Sequence, residues 1–384
     1  MTVVDYDILH APPRWIFLKL ETDDGLVGWG EISLSRVRRG VEGTVSEFLD
    51  EFVVGNDPDR IEHHWQAMYR DPRMRGGPVK MTAISGIDMA LWDIKGKRHG
   101  LPVYEFLGGA VRDRVRLYQG IGGETTEELV AAGRTAVDDG FTMVKTTPTG
   151  RLERIDTPQT IADARTRIGA LRDAVGPTID IGLDVHGRTT KAMAKRLAVA
   201  LEECDPIWYE EPLTGPEHAD TLVTLSQHTT VPIATGERRF SRWQFRSLLE
   251  DGAVDVLQPD ICYAGGISEL RRIGAMAEAY DVQLAPHCPF GPIALAASLQ
   301  IDACTPNAFV QEQGVYRDHP AYDPLAYVTD ATVFGMDDDG FVPIPDGPGL
   351  GVELDEAHLA GFDLDDATWE TNHWRHKDGS VAEW

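Results

Sequence analysis

Cysteine and lysine are both scarce in this 384-residue sequence, and each scarcity excludes something. The four cysteines, Cys204, Cys262, Cys288 and Cys304, form no CxxC pair and no regular metal spacing. A disulfide framework is therefore excluded, and the four read as small buried thiols. Only eight of the 36 basic residues are lysines, and 62 acidic residues leave a formal charge of −26. That excess argues against nucleic acid and anionic membrane surfaces as partners. Together with the lysine deficit it predicts a salt-rich cytoplasm, where screening tolerates self-repulsion; stability that failed to rise with KCl would remove that reading. No apolar run approaches the roughly 18 residues of a membrane span. The first fifteen residues carry Asp5, Asp7, Pro12 and Pro13 and lack the basic-then-apolar order of a signal peptide. Cytoplasmic localisation is the expectation.

The length suits a barrel of about 250 residues joined to a smaller domain. Residues 1–113 read as a sheet followed by helices. Ile16–Thr22 and Leu26–Glu31 form a hairpin around Asp23-Asp24-Gly25, and helical stretches follow at Val41–Phe52 and Thr82–Lys97. In the second helix Ile84, Ile87, Leu91 and Ile94 recur at three- and four-residue steps, which gives one apolar face. From Arg114 short β-rich runs alternate with amphipathic helices. The runs are Val115–Gly120, Thr142–Lys145, Asp180–His186, Ile207–Glu210, Pro232–Glu237, Val254–Asp260, Val282–His287 and Phe309–Glu312. Eight such units predict an α/β fold, a (β/α)8-type TIM barrel over residues 114–317. A Pro- and Gly-rich stretch to Gly351 is expected to lead the C-terminal segment, 318–384, back to the N-terminal domain.

The chemistry is carried by how these runs end. In order they finish on Asp184-Val185-His186, Glu210, Glu237, Asp260, His287 and Glu312, at separations of 26, 27, 23, 27 and 25 residues from Asp184 onward. Each interval is about one strand, loop, helix and loop, so a parallel barrel gathers these residues on its C-terminal face. Asp184 and His186 lie two apart, which on a strand points both to one side. Asp184, Glu210 and Glu237 supply three hard oxygen ligands without thiolate or paired imidazoles, a set suited to Mg²⁺. Such an ion can grip a substrate carboxylate and stabilise the enediolate formed by removing the adjacent proton; that mechanism is the established example for enolase-type sites. Asp260 and His287 end neighbouring strands, the usual construction of a general base. His186 approaches from another strand as a candidate acid, and Glu312, if protonated, can hydrogen-bond the developing charge.

At these residues the sequence resembles the enolase superfamily, mandelate racemase-like, and within it the D-galactonate dehydratase branch. The resemblance runs nearly end to end. It rests on Pro12-Pro13-Arg14-Trp15, Gly28-Trp29-Gly30-Glu31, Arg75-Gly76-Gly77-Pro78, Gly86-Ile87-Asp88 and Ala90–Lys97, then on Gly182–Arg188, Thr235-Gly236-Glu237-Arg238 and Gln258-Pro259-Asp260. It continues through Ala264-Gly265-Gly266-Ile267, Ala285-Pro286-His287-Cys288-Pro289 and the tail Ser380–Trp384. The resemblance implies an α+β capping domain over the barrel mouth, Mg²⁺ on Asp184, Glu210 and Glu237, proton abstraction from C2 of a sugar acid by His287 paired with Asp260, and departure of the C3 hydroxyl assisted by His186. It also implies a homo-oligomer. Two departures bear on which sugar acid is used, galactonate or another aldonate such as gluconate. Lys145-Thr146-Thr147 stands where the family shows Lys-x-Asn, leaving Lys145 to meet the substrate carboxylate, and Ser33–Arg39 differs from the family's capping loop. Thr147 also counts against racemisation, which favours a Lys-x-Lys pair, and the complete acid–base set counts against a binding protein without catalysis.

Overall fold

The computed structural model describes residues 1–34, 37–71, 73–215, 218–316, 322–363 and 373–383. Part of the Ser33–Arg39 segment, the boundary expected at Arg317 and the terminal Trp384 therefore lie outside the described residues.

The N-terminal part is a three-stranded antiparallel sheet, β1 (Val3–Ala11), β2 (Trp15–Thr22) and β3 (Val27–Glu31). It is followed by helices α1 (Arg38–Phe48), α2 (Ile61–Arg70), α3 (Pro78–His99) and α4 (Val103–Phe106). Helix α3 is buried on nearly every face, beyond the single stripe its periodicity suggests. It is clamped between the sheet and the barrel, and glycine permits the close approach. A Cβ on Gly30 would lie 2.0 Å from the Gly86 carbonyl oxygen, and one on Gly28 would lie 2.3 Å from that of Ala90.

Eight parallel strands follow: β4 (Arg114–Gly120), β5 (Met143–Thr146), β6 (Asp180–Asp184), β7 (Trp208–Glu210), β8 (Ile233–Thr235), β9 (Val256–Leu257), β10 (Gln283–Leu284) and β11 (Gln311–Glu312). Each pairs with its sequence neighbour, β11 pairs with β4, and a parallel bridge between Leu284 and Ala308 closes the ring. This is the barrel the alternation predicts. Seven helices separate its strands: α5 (Thr126–Asp138), α6 (Pro158–Val175), α7 (Lys191–Leu201), α8 (Ala219–Ser226), α9 (Arg242–Asp251), α10 (Gly266–Glu278) and α11 (Pro292–Cys304). After β11 the described chain has no barrel helix, only short turns, strand β12 (Phe341–Pro343) antiparallel to β4, and the four-residue α12 (Glu356–Leu359).

The C-terminal segment touches the N-terminal part through polar contacts, some of them buried. Asp93 accepts from the Trp29 amide at 2.8 Å and from the Leu350 amide at 2.8 Å, and Lys97 sits 2.8 Å from it. Lys19 bonds Glu356 at 2.8 Å, and the Tyr327 hydroxyl donates to the Pro12 carbonyl at 3.1 Å.

One buried carboxyl of the barrel shell has no evident use. Asp302 on α11 is fully buried, and neither side-chain oxygen has a hydrogen-bond partner. Burial, opposed only by the Arg112 charge, raises it to about 8. A carboxyl that holds its proton more tightly when folded stabilises the fold at low pH, and that stability is lost as pH rises from about 4 to about 8. Asp302→Asn should therefore gain thermal stability relative to the parent at pH 9 and show a much smaller gain at pH 5. Melting curves at the two pH values check this.

Candidate active site at the barrel mouth

Asp184 ends β6, Glu210 ends β7 in register beside it, and Glu237 lies two residues beyond β8. One carboxylate oxygen from each can be chosen so that all lie within 4.8 Å of one another. Asp184 Oδ2 is buried and accepts no hydrogen bond. A buried carboxylate oxygen with no hydrogen bond, only charge contacts to His186 and Lys145, beside two further carboxylates fits a divalent cation, and no sulfur ligand is present among the three. This acidic cluster can therefore hold a divalent metal. Burial and the neighbouring negative charge of Asp184 push Glu210 far above the ordinary carboxylate range. Burial lifts Glu237 to about 7 against the attraction of His287. Burial and, after it, repulsion among the carboxylates disfavour their charged forms, and a dication would offset both.

Lys145, on β5, sits inside the ring. Its Nζ lies 2.7 Å from Glu210, 3.4 Å from Asp184 and 3.3 Å from Glu312. Burial alone would favour the neutral amine, but Glu210, Glu312 and Asp184 outweigh it, so its pKa rises well above the ordinary value.

The Asp260–His287 pair forms as the strand order predicts. Their backbones make a parallel bridge, and His287 Nδ1 is 2.6 Å from Asp260 Oδ2. The other ring nitrogen faces the cavity, 3.4 Å from Glu237 and 3.7 Å from Glu312. Burial disfavours the imidazolium, but Glu237, Glu312 and Asp260 overcome this and lift His287 to about 10. Glu312 accepts from the Cys288 amide at 3.0 Å.

The approach of His186 differs from the expectation. Strand β6 ends at Asp184, so His186 does not share a strand with it. The chain instead turns, with His186 at φ +50° and Gly187 at φ +68°. A left-handed backbone is uncommon for a residue with a side chain and frequent at functional sites. The turn brings the His186 amide to Asp184 Oδ1 at 2.7 Å and its Nε2 to Asp184 Oδ2 at 3.0 Å. Nδ1 lies 3.3 Å from the Thr147 hydroxyl. Burial outweighs the pull of Asp184 and lowers His186 to about 4, so the resting imidazole is neutral at pH 7.

All eight expected site residues are thus gathered at one end of the barrel. Around them is a cavity of about 430 Å³, lined in addition by Arg14, Thr147, Arg238, Tyr263 and Phe290. The sequence of both halves matches known families. Residues 11–108 match the mandelate racemase/muconate lactonizing enzyme N-terminal domain, and residues 128–358 the enolase C-terminal domain-like family. The chain is 48% identical to a D-galactonate dehydratase of Ralstonia pickettii and 46% identical to one of Variovorax paradoxus, each aligned over all of both chains. It belongs to the enolase superfamily, in the D-galactonate dehydratase family. A solved enolase-superfamily member from Salmonella Typhimurium superposes with a TM-score of 0.85 at 29% identity, covering 94% of this chain and 97% of that one. A mandelate racemase/muconate lactonizing enzyme from a Sulfitobacter species superposes at 0.87 with 31% identity, covering 94% and 95%.

Within this enolase-superfamily barrel, several residues that support the ring escape sequence reasoning. Trp208 fills the space left by Gly182, where a Cβ would lie 2.9 Å from the indole nitrogen, and donates to Glu210 Oε2 at 2.8 Å. Glu211, adjacent to Glu210, points elsewhere. At φ +42° it accepts from the Thr235 hydroxyl, the Gly236 amide and the Arg238 guanidinium at 2.6–2.9 Å, so it orders the turn carrying Glu237. Arg14, at the turn between β1 and β2, brings a guanidinium from the N-terminal sheet to the cavity, 5.4 Å over the Phe290 ring. Its only sequence signal is its place in Pro12–Trp15.

Proposed function

We propose that this enzyme is a Mg²⁺-dependent sugar-acid dehydratase, a hydro-lyase whose substrate is D-galactonate. The observation that carries the reading is the juxtaposition of three carboxylates, a carboxylate–imidazole pair and a second histidine in one cavity. Full-length similarity to D-galactonate dehydratases supports the substrate.

In this reading Asp184, Glu210 and Glu237 hold Mg²⁺, which when bound offers Lewis-acid stabilisation to the negative charge of the reacting acid. Lys145 meets the substrate carboxylate with a charge that its buried acidic partners keep in place. Asp260 orients the His287 ring by accepting from Nδ1, and a dication on Glu237 would offset the negative charge that keeps the imidazole protonated, freeing Nε2 to remove the C2 proton. Glu312 donates to the developing enediolate when protonated. His186 then delivers a proton to the C3 hydroxyl, which leaves as water. Burial makes its imidazolium a strong acid, and the negative charge of the bound substrate favours the protonated form. The enol product tautomerises to a 2-keto-3-deoxy acid.

One observation favours a second reading on the same chemistry. Thr147 replaces the family's asparagine and touches His186 at 3.3 Å, beside the carbon that loses its hydroxyl, so another aldonate such as gluconate fits a cavity altered there.

A panel of aldonates and aldarates, assayed for 2-keto-3-deoxy product with Mg²⁺ at low and molar KCl, tests both. Product from galactonate alone is the expected result, and product from gluconate alone would select the second reading. EDTA should abolish the reaction and Mg²⁺ should restore it. Full activity in EDTA would refute the metal assignment, and failure of every acid would refute dehydration.

A further inference from the structure

Two buried carboxylates from the N-terminal cap reach into the barrel and end on two successive barrel helices. Glu31, the last residue of β3, accepts from the Gly291 amide at 2.9 Å and the Ala294 amide at 3.0 Å, both at the start of α11. Ser33 adds a third bond, 2.8 Å from its hydroxyl. Asp88, in the middle of α3, accepts from the Ser268 amide at 3.0 Å and its hydroxyl at 2.6 Å, in the first turn of α10. Neither carboxylate is accessible to solvent to any useful extent, with exposures of 0% and 1%. Burial lifts each to about 7, while the donors around it favour the charged form.

The two helices are not arbitrary. Helix α10 follows the strand end that carries Asp260, and α11 follows the strand end that carries His287. The loop from His287 to Gly291 is fixed at one end by the Cys288 amide on Glu312, and at the other by the Gly291 amide on Glu31. Both seats are built without room for a side chain. A Cβ on Gly291 would lie 2.9 Å from Glu31 Oε2, and one on Gly266 would lie 2.5 Å from Asp88 Oδ2. Gly265 adds to the second seat by donating its amide to Ser85 at 2.9 Å and accepting from Trp65 Nε1 at 2.9 Å. A helix N-terminus already satisfied by a carboxylate from another layer is held in both position and direction.

We infer that Glu31 and Asp88 are positioning residues through which the cap sets the geometry of the Asp260–His287 pair. Glu31 fixes the His287 loop at the start of α11, and Asp88 fixes the Asp260 side through α10. The 2.6 Å contact between the two catalytic candidates then depends on a seated cap, although no cap residue touches either of them through these bonds. The inference rests on the reading of His287 as the base.

Glu31→Gln and Asp88→Asn test it: each keeps the shape, the first turns an accepting oxygen into a donor facing a backbone N–H, and the second puts a donor against the Ser268 hydroxyl or amide. The expected result is a fall in kcat of ten- to a hundred-fold, equal for C2 proton exchange and for dehydration, with KM changed less than threefold and Mg²⁺ affinity unchanged. The acidic limb of the exchange pH profile, which reports the base, should move, because the imidazole loses its fixed partner. A lower melting temperature with kcat and pH profile unchanged would overturn the inference and leave a purely structural role. If either variant fails to fold, Ser33→Ala and Ser268→Ala, which each remove one donor, are read by the same assay; kcat and pH profile unchanged in both would overturn it. Should the parent neither exchange nor dehydrate any sugar acid, the dehydratase reading fails separately. Crystal structures of the variants then decide: an unchanged Asp260–His287 contact overturns the inference, and a lengthened one sustains it.

Discussion

His287→Asn should abolish exchange of the C2 proton with solvent deuterium and dehydration together, each by about 10⁴-fold, the upper end for loss of a positioned base. That corresponds to about 5.5 kcal/mol of transition-state stabilisation. Asparagine is a near isostere of part of the imidazole and can still accept or donate toward Asp260, so the fold should persist. The metal cluster should persist as well, because His287 meets only one of its members, Glu237, and at 3.4 Å. The measurement is proton NMR of the substrate in D₂O with Mg²⁺, beside calorimetric Mg²⁺ binding. Exchange that survives in this variant would remove His287 from the role of base.

His186→Asn should separate the two half-reactions. Dehydration should fall by at least about 10³-fold, while C2 exchange continues, since exchange requires only the base. The separation is expected from geometry: His186 stands with Asp184 and Thr147, whereas His287 stands with Asp260 and Glu237. Exchange that vanished in this variant yet persisted in the His287 variant would reverse the two roles. Equal loss of both would instead indicate that His186 acts on proton abstraction itself.

Much of this site is legible in the sequence because a barrel converts regular spacing into convergence. Asp184, Glu210, Glu237, Asp260, His287 and Glu312 recur at intervals of one β/α unit, and the closed parallel sheet brings them together without any further information. The strand lengths are less legible. The continuous strands within the runs that finish at Glu237, Asp260 and His287 end two or three residues earlier, although Asp260 and His287 still meet in a parallel bridge. His186 is reached by a left-handed turn that alternation along a strand does not foresee. Glu210 and Glu211 are adjacent and chemically identical, and only the fold sends one into the ring and the other to Arg238. Glu31 and Asp88 are the least legible, since their partners lie 260 and 180 residues away. Their traces are the motifs Gly28–Glu31 and Gly86–Asp88 and a set of glycines, whose steric reason appears only once both chain segments are in contact.

The bonds from Asp93 to Trp29 and Leu350, and from Lys19 to Glu356, bear on how such enzymes can be recombined. A chimaera that takes its first hundred residues from one relative and everything else from another would face Asp93 and Lys19 with a foreign tail. The graft would be stranded between two partners selected on different molecules. Transplanting the cap therefore calls for two crossovers, one before the barrel and one after it, so that residues around 345–360 travel with the sheet they were shaped against.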